Sequence, residues 1–262
     1  MAGTSPIDTT VAHSARVWNY WLGGKDNFQV DREVGDHVLR ACPEMAEAAR
    51  ADRRFLVSAV TYLARERGVR QFLDIGTGLP THHNTHEVAQ AEDPGVGVVY
   101  VDNDPMVLAH ARALLTGGRA GTVNYVDADL HEPDKVLAGA AEHLDLSQPV
   151  GLTILGTMGH TPDYALARAT VRAYVEALPS GSFLALCDGT DTSEPMVEAA
   201  RRWNDRAAMP YHLRTPDEIA GFFDGLELLE PGVVSAPMWR PGPDEEGEAA
   251  EVAQYCGLAR KP

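Results

Sequence analysis

The sequence predicts an α/β fold: a mostly parallel sheet of seven strands covered by helices, closed by an antiparallel hairpin and preceded by a helical extension. Three observations predict it. From Arg70 onward, short β-branched runs alternate with amphipathic stretches, the pattern of a parallel sheet with helical crossovers. The last two runs are joined by a polar loop alone, too little for a parallel crossover. Before Arg70 the chain is rich in helix formers and aromatic residues.

Residues 1–69 form the helical extension rather than a domain of its own, and residues 70–262 form the α/β domain. Within the extension "RRFLVSAVTYLARERG" is an amphipathic helix that Gly68 ends, since glycine tolerates the left-handed turn after a helix. The strands are "RQFLDI", "GVVYVD", "TVNYVD", "VGLTILG" and "SFLALCD", then "LELLEPGVV" and "AQYCGLAR" with the loop Ser235 to Val252 between them. Helices start at Thr161-Pro162-Asp163 and at Thr215-Pro216-Asp217-Glu218. Each places a capping hydroxyl before a proline suited to the first helical position, and Glu218 completes a capping box.

The 262 residues are 44% hydrophobic and 23% charged, ordinary for a soluble protein, and no apolar run approaches the roughly 20 residues of a membrane helix. The first residues lack the basic and apolar regions of a secretory signal, so a cytoplasmic protein is expected, with no membrane partner. Cys42, Cys187 and Cys256 lie far apart, as reduced buried thiols do. A formal charge of -16 repels phosphate backbones, which excludes nucleic acid as an expected partner. The patch of Arg50, Arg53 and Arg54 reads as a solvated helix face, and the acidic run Asp244 to Glu251 as a solvated loop.

"QFLDIGTG" leaves a strand at Asp74 and turns through Gly76 and Gly78, where a backbone without Cβ atoms lets a ligand approach. A dinucleotide fingerprint would want a small residue at position 81, and the chain has Thr81 after Pro80. The next strand ends at Asp102, 26 residues after Gly76, where an acid meets the two hydroxyls of a ribose. The following strand ends in "DAD", where Asp127 and Asp129 can accept from an exocyclic adenine amine. Acids at successive strand ends oppose a pyrophosphate; they suit a ligand with ribose, adenine and a positive charge.

This order of motifs resembles class I S-adenosylmethionine-dependent methyltransferases. More closely, "ARVWNYWLGGKDNF", "RRFL", "QFLDIGTGLPT", "NTHEVAQ", "VVYVDNDP", "VLAHARALL" and "FFDGLELLEPGVV" resemble an actinobacterial methyltransferase family formerly catalogued as a domain of unknown function. The resemblance runs from about Ser14 to Pro262. It implies a Rossmann-like seven-stranded sheet and S-adenosyl-L-methionine as cofactor. By position it places the methionine moiety near Asp74, Gly76 and Gly78, the ribose at Asp102, and the adenine at Asn103, Asp127 and Ala128.

His82 and His86 stand at i and i+4 of the expected next helix, a spacing that can chelate a metal, but without a third ligand they read as capping or surface groups and no metal is expected. In "RVWNYWLGGKDNF", Trp18 and Trp21 read as core residues or, with Asn19, Tyr20, Lys25 and Asn27, as a lid that hinges at Gly23-Gly24. The fourth strand ends in "LGTMGHTPD", which puts His160 at the carboxyl end of the sheet, either as a catalytic base or as a loop residue hydrogen-bonded near Thr161 and Asp163. The family pattern has its histidine where this chain has Gly159. The sequence thus points to methyl transfer to a small-molecule acceptor such as a secondary metabolite; a non-catalytic S-adenosylmethionine-binding protein and a nicotinamide oxidoreductase are the alternatives.

Overall fold

Every residue of Gln71–Ile75 (β1) is buried, as befits a strand with neighbours on both edges and helices on both faces. In the computed structural model, which describes residues 7–115, 123–240 and 250–262, three helices precede it: α1 (Ser14–Trp21), α2 (Gln29–Leu39) and α3 (Met45–Arg65). After β1 come α4 (Thr85–Glu92), β2 (Gly97–Asp102), α5 (Pro105–Leu115), β3 (Val123–Asp127), α6 (Pro133–Ala141) and β4 (Gly151–Leu155). A 3₁₀ turn at Met158–His160 leads to α7 (Tyr164–Ala177), β5 (Phe183–Gly189), α8 (Glu194–Asn204) and α9 (Pro216–Gly221). The chain closes with β6 (Glu227–Leu228), β7 (Val234–Ser235) and β8 (Gln254–Arg260).

The strands lie in the order β3-β2-β1-β4-β5-β8-β6, parallel from β3 to β5 and antiparallel at β8. The direction of winding reverses between β1 and β4, and the crevice at the carboxyl ends there is where open sheets bind ligands. Alternation along each strand builds two cores. Phe72, Val98 and Tyr100 face α3 and α4 with Phe55, Leu63 and Val88, whereas Leu73, Val99 and Val101 face α6 and α7 with Val136, Val171 and Tyr174. A third, smaller core joins α1, α2 and the start of α3 to α8 through Val17, Trp21, Val34, Met45, Met196 and Trp203.

Three local expectations change. The expected sixth strand is two short ones: Leu228 pairs with Ala259 and Val234 with Cys256, so five residues oppose two and the segment bulges off β8. Asn84, not a residue before His82, caps α4; its capping box with Glu87 starts the helix at Thr85 and leaves His82 and His83 in the preceding loop. At α7 the cap is Asp163, whose carboxylate accepts from Leu166 N at 3.0 Å, because Thr161 is buried and turned toward His131. The cap at Thr215 with Glu218 is as expected. Cys42, Cys187 and Cys256 are free and buried. Of the acidic run, Asp244 to Ala249 lie outside the described residues.

Candidate active site

One continuous cleft crosses the carboxyl ends of β1, β2 and β4 and runs on between α1, α3 and α8. At its floor Gly76 and Gly78 have φ of +71° and +67°, the left-handed region that favours glycine. A Cβ on Gly76 would also overlap Thr157 Oγ1, whereas the same position on Gly78 faces open space. Asp74, 6% exposed, accepts from Thr85 Oγ1 at 2.5 Å; burial raises its carboxyl, against the pull of that hydroxyl and the positive charge of Arg53.

Asp102 accepts from Gly78 N and from Asp104 N, both at 2.9 Å. Burial raises its carboxyl despite those two bonds. The two amides occupy one oxygen each and fix the carboxylate's direction, so the remaining lone pairs can receive vicinal hydroxyls. At the next strand end the side chain of Asp127 is exposed and does not line the cleft; Ala128 and Asp129 do. The strand stops at Asp127, and the two residues after it leave the sheet. Asn103 Nδ2 donates to Asp129 Oδ2 at 3.2 Å, and His131 N donates to Oδ1 at 2.8 Å. This end offers acceptors and one amide, and suits an amine-bearing base beside a diol, without a phosphate.

The other end is aromatic. At the end of β4 Gly156 has φ +64°, and Trp18 comes within 3.7 Å of where its Cβ would be. His160, next on the 3₁₀ turn, directs Nδ1 to the carbonyl oxygen of Pro210 at 3.0 Å. A carbonyl only accepts, so Nδ1 carries the hydrogen and, in the neutral ring, Nε2 keeps a lone pair. Burial lowers the pKa of His160, which favours that neutral ring. The Tyr211 ring stands edge-on at 5.1 Å, and its hydroxyl donates to Asp188 Oδ1 while accepting from Gly189 N at 3.0 Å. Burial pushes Asp188 up to about 7, although Gly159 N donates to its Oδ2 at 3.0 Å. A Cβ on Gly159 would overlap the Tyr211 ring, so only glycine fits beside His160 while Tyr211 fills that space.

The N-terminal motif divides. Trp18 and Asn19 line the cleft. Tyr20 turns to α2, where its hydroxyl donates to Asp36 Oδ1 at 2.6 Å, and Lys25 is exposed outside the cleft. Asn27 Nδ2 donates to Asn19 Oδ1 and to Gly24 O, both at 3.0 Å, and a Cβ on Gly24 would strike the Asn19 amide. Asn27 and Gly24 therefore hold Asn19 rather than face a ligand. Among the described residues no group of three or more metal-ligating side chains exists, and His86 Nδ1 is engaged by the Tyr100 hydroxyl at 2.8 Å.

Sequence reasoning missed several lining residues. His13, at the start of α1, brings Nδ1 to 2.7 Å from Asp104 Oδ2 and so ties the extension to the end of β2. Asp52, buried, accepts from Gln254 Nε2 at 3.0 Å, and burial raises it to about 6. Arg53 and the pair Tyr211 and Trp203 complete the walls. Their only local signals are the glycines at 159 and 189, which make room for Tyr211.

The sequence matches, over residues 2–262, a family described as S-adenosyl methyltransferase. No curated protein matches it. A DUF574 family protein from Streptomyces avermitilis is 42% identical over 98% of this chain and 100% of its own, with a TM-score of 0.93. A candidate methyltransferase from Thermobifida fusca is 38% identical over 97% of both chains, with a TM-score of 0.89. In fold alone the likeness extends to an O-methyltransferase family protein from Burkholderia thailandensis, 14% identical over 85% of this chain and 61% of its own, with a TM-score of 0.54. With its class I sheet, the chain belongs to the S-adenosyl methyltransferase family and is an S-adenosylmethionine-dependent methyltransferase.

Proposed function

We propose that the enzyme methylates a small, flat and largely apolar acceptor that carries an oxygen or nitrogen nucleophile, with His160 taking the nucleophile's proton. The observation that carries this reading is the lining of the cleft, where Trp18, Trp21, Trp203, Met196, Met209 and Tyr211 join His160, with the Trp203 and Tyr211 rings 6.4 and 5.1 Å from the imidazole. Aromatic walls favour a planar ligand through stacking and apolar contact. The formal charge of -16 disfavours a nucleic-acid acceptor.

When bound, S-adenosylmethionine supplies a methyl group on a sulfonium, open to in-line displacement. In this reading the chain's residues position and deprotonate. Asp102 receives the ribose hydroxyls; Asn103, Ala128 and Asp129 border the adenine; Asp74, Gly76 and Gly78 receive the methionine moiety. The proton of the nucleophile moves to Nε2 of His160, whose Nδ1–H is already committed to Pro210. Residues 1–69 act as a lid on the domain of residues 70–262, excluding water and aligning the acceptor.

Methyl-labelled S-adenosylmethionine incubated with the enzyme and a cell extract tests the acceptor class. Label in a small aromatic product supports the reading. Label recovered only in protein or nucleic acid overturns it.

A further inference from the structure

Asn204, the last residue of α8, is exposed and does not line the cleft, yet its amide pairs with both backbone groups of Tyr211. Its Oδ1 accepts from Tyr211 N at 2.7 Å, and its Nδ2 donates to Tyr211 O at 3.0 Å. One residue earlier, Trp203 Nε1 donates to Met209 O at 2.8 Å. Between these two anchors stands Pro210, whose carbonyl oxygen receives His160 Nδ1 at 3.0 Å. The proline ring fixes φ there and restricts Met209 before it, so the backbone between the anchors has little freedom of its own. Just beyond, His212 N donates to Gly159 O at 2.7 Å and ties the same segment to the turn that carries His160.

The C=O of Pro210 and the N–H of Tyr211 belong to one planar peptide group, and in a trans peptide the two point in opposite directions. Holding the N–H toward Asn204 therefore aims the carbonyl the other way, at the imidazole. A histidine's tautomer is set by the bond its other nitrogen makes, and a free ring favours hydrogen on Nε2. An acceptor aimed at Nδ1 is what leaves Nε2 its lone pair. We propose that Asn204 is a positioning residue for the methyl transfer: by holding Tyr211 N–H it aims the Pro210 carbonyl and so keeps His160 in the Nδ1–H form. The inference rests on the reading of His160 as the base. It places control of that base in a side chain outside the cleft, on a helix end 44 positions further along the chain.

The test is nitrogen NMR of the histidine rings in the full-length wild type and Asn204→Ala, at pH ~8, where histidines are neutral. Wild type is expected to hold His160 in the Nδ1–H form. In Asn204→Ala the ratio of Nδ1–H to Nε2–H forms of His160 falls roughly tenfold, the worth of one hydrogen bond. His86, whose Nδ1 meets the Tyr100 hydroxyl at 2.8 Å, keeps its wild-type resonances. An unchanged ratio in the folded variant overturns the proposal, as does a wild type already in the Nε2–H form. A change that His86 shares would show a general loosening and overturns it too. If Asn204→Ala does not fold, Asn204→Leu, close in size and without either polar group, is read by the same criteria. The ratio is read without an acceptor, so turnover that survives His160→Ala overturns instead the base reading on which the proposal rests.

Discussion

His160 donates through Nδ1 to the carbonyl oxygen of Pro210 at 3.0 Å, a bond between the end of β4 and the segment that follows α8. It orients the imidazole with Nε2 unprotonated, and burial depresses the ring's pKa, so the base form persists below the usual histidine range. Nitrogen NMR of the histidine rings is expected to show the Nδ1–H tautomer for His160, titrating below the unperturbed value of about 6.5. With an acceptor in hand, His160→Ala lowers turnover by ~10² to 10⁴ with cofactor affinity unchanged, and His160→Gln does not rescue it. The wild-type rate falls as pH drops through that lowered pKa. A rate within threefold of wild type in His160→Ala would end the base assignment.

Asp188 and Asp52 give the protein an unusual pH dependence of stability. Their folded pKa values, about 7 and about 6, lie above the unfolded value of ~3.9. The folded state therefore keeps protons that the unfolded state releases. These two groups stabilise most below pH ~4 and lose that contribution as pH rises toward 7. Relative to wild type, Asp188→Asn should gain roughly 2 to 4 kcal/mol between pH 4 and 7, read by urea denaturation at each pH. A difference that stays constant with pH would mean that Asp188 is ionised throughout.

Residues 13–21 of the N-terminal extension meet the cleft through His13 and Trp18. Their amides should exchange more slowly once S-adenosylhomocysteine is bound, whereas those of α7, which does not line the cleft, should not change. Equal exchange in both states would remove the lid. Gly24→Ala should destabilise the same segment by about 1 to 3 kcal/mol, because its Cβ would overlap the Asn19 amide. A thermal melt that matches wild type would show that Asn19 can move aside.

The half of the site around Asp74, Gly76 and Asp102 was legible in the sequence because strand ends and left-handed glycines are local signals, and their residues sit within a few positions of those ends. The sheet was legible for the same reason, down to its antiparallel close. Asp127 is exposed and does not line the cleft, whereas Asp129, two positions on, does; a strand pattern does not say where the chain leaves the sheet. The opposite wall had no local signal beyond Gly159 and Gly189: Tyr211 reaches Asp188 across 23 positions, and Gln254 reaches Asp52 across 202. Arg53 looked like its neighbours on α3, since the helical period alone does not separate an arginine facing solvent from one facing a cleft.

The central claim, that strand-end acids hold an adenosyl ligand without phosphate, is tested most directly by calorimetric titration of wild type and Asp102→Ala. S-Adenosylhomocysteine is expected to bind one per wild-type chain while NAD does not bind measurably. Loss of the ribose hydrogen bonds in Asp102→Ala should weaken that binding by roughly 1.5 to 3 kcal/mol. A folded Asp102→Ala protein with wild-type affinity, or a wild type that prefers NAD, would contradict the account.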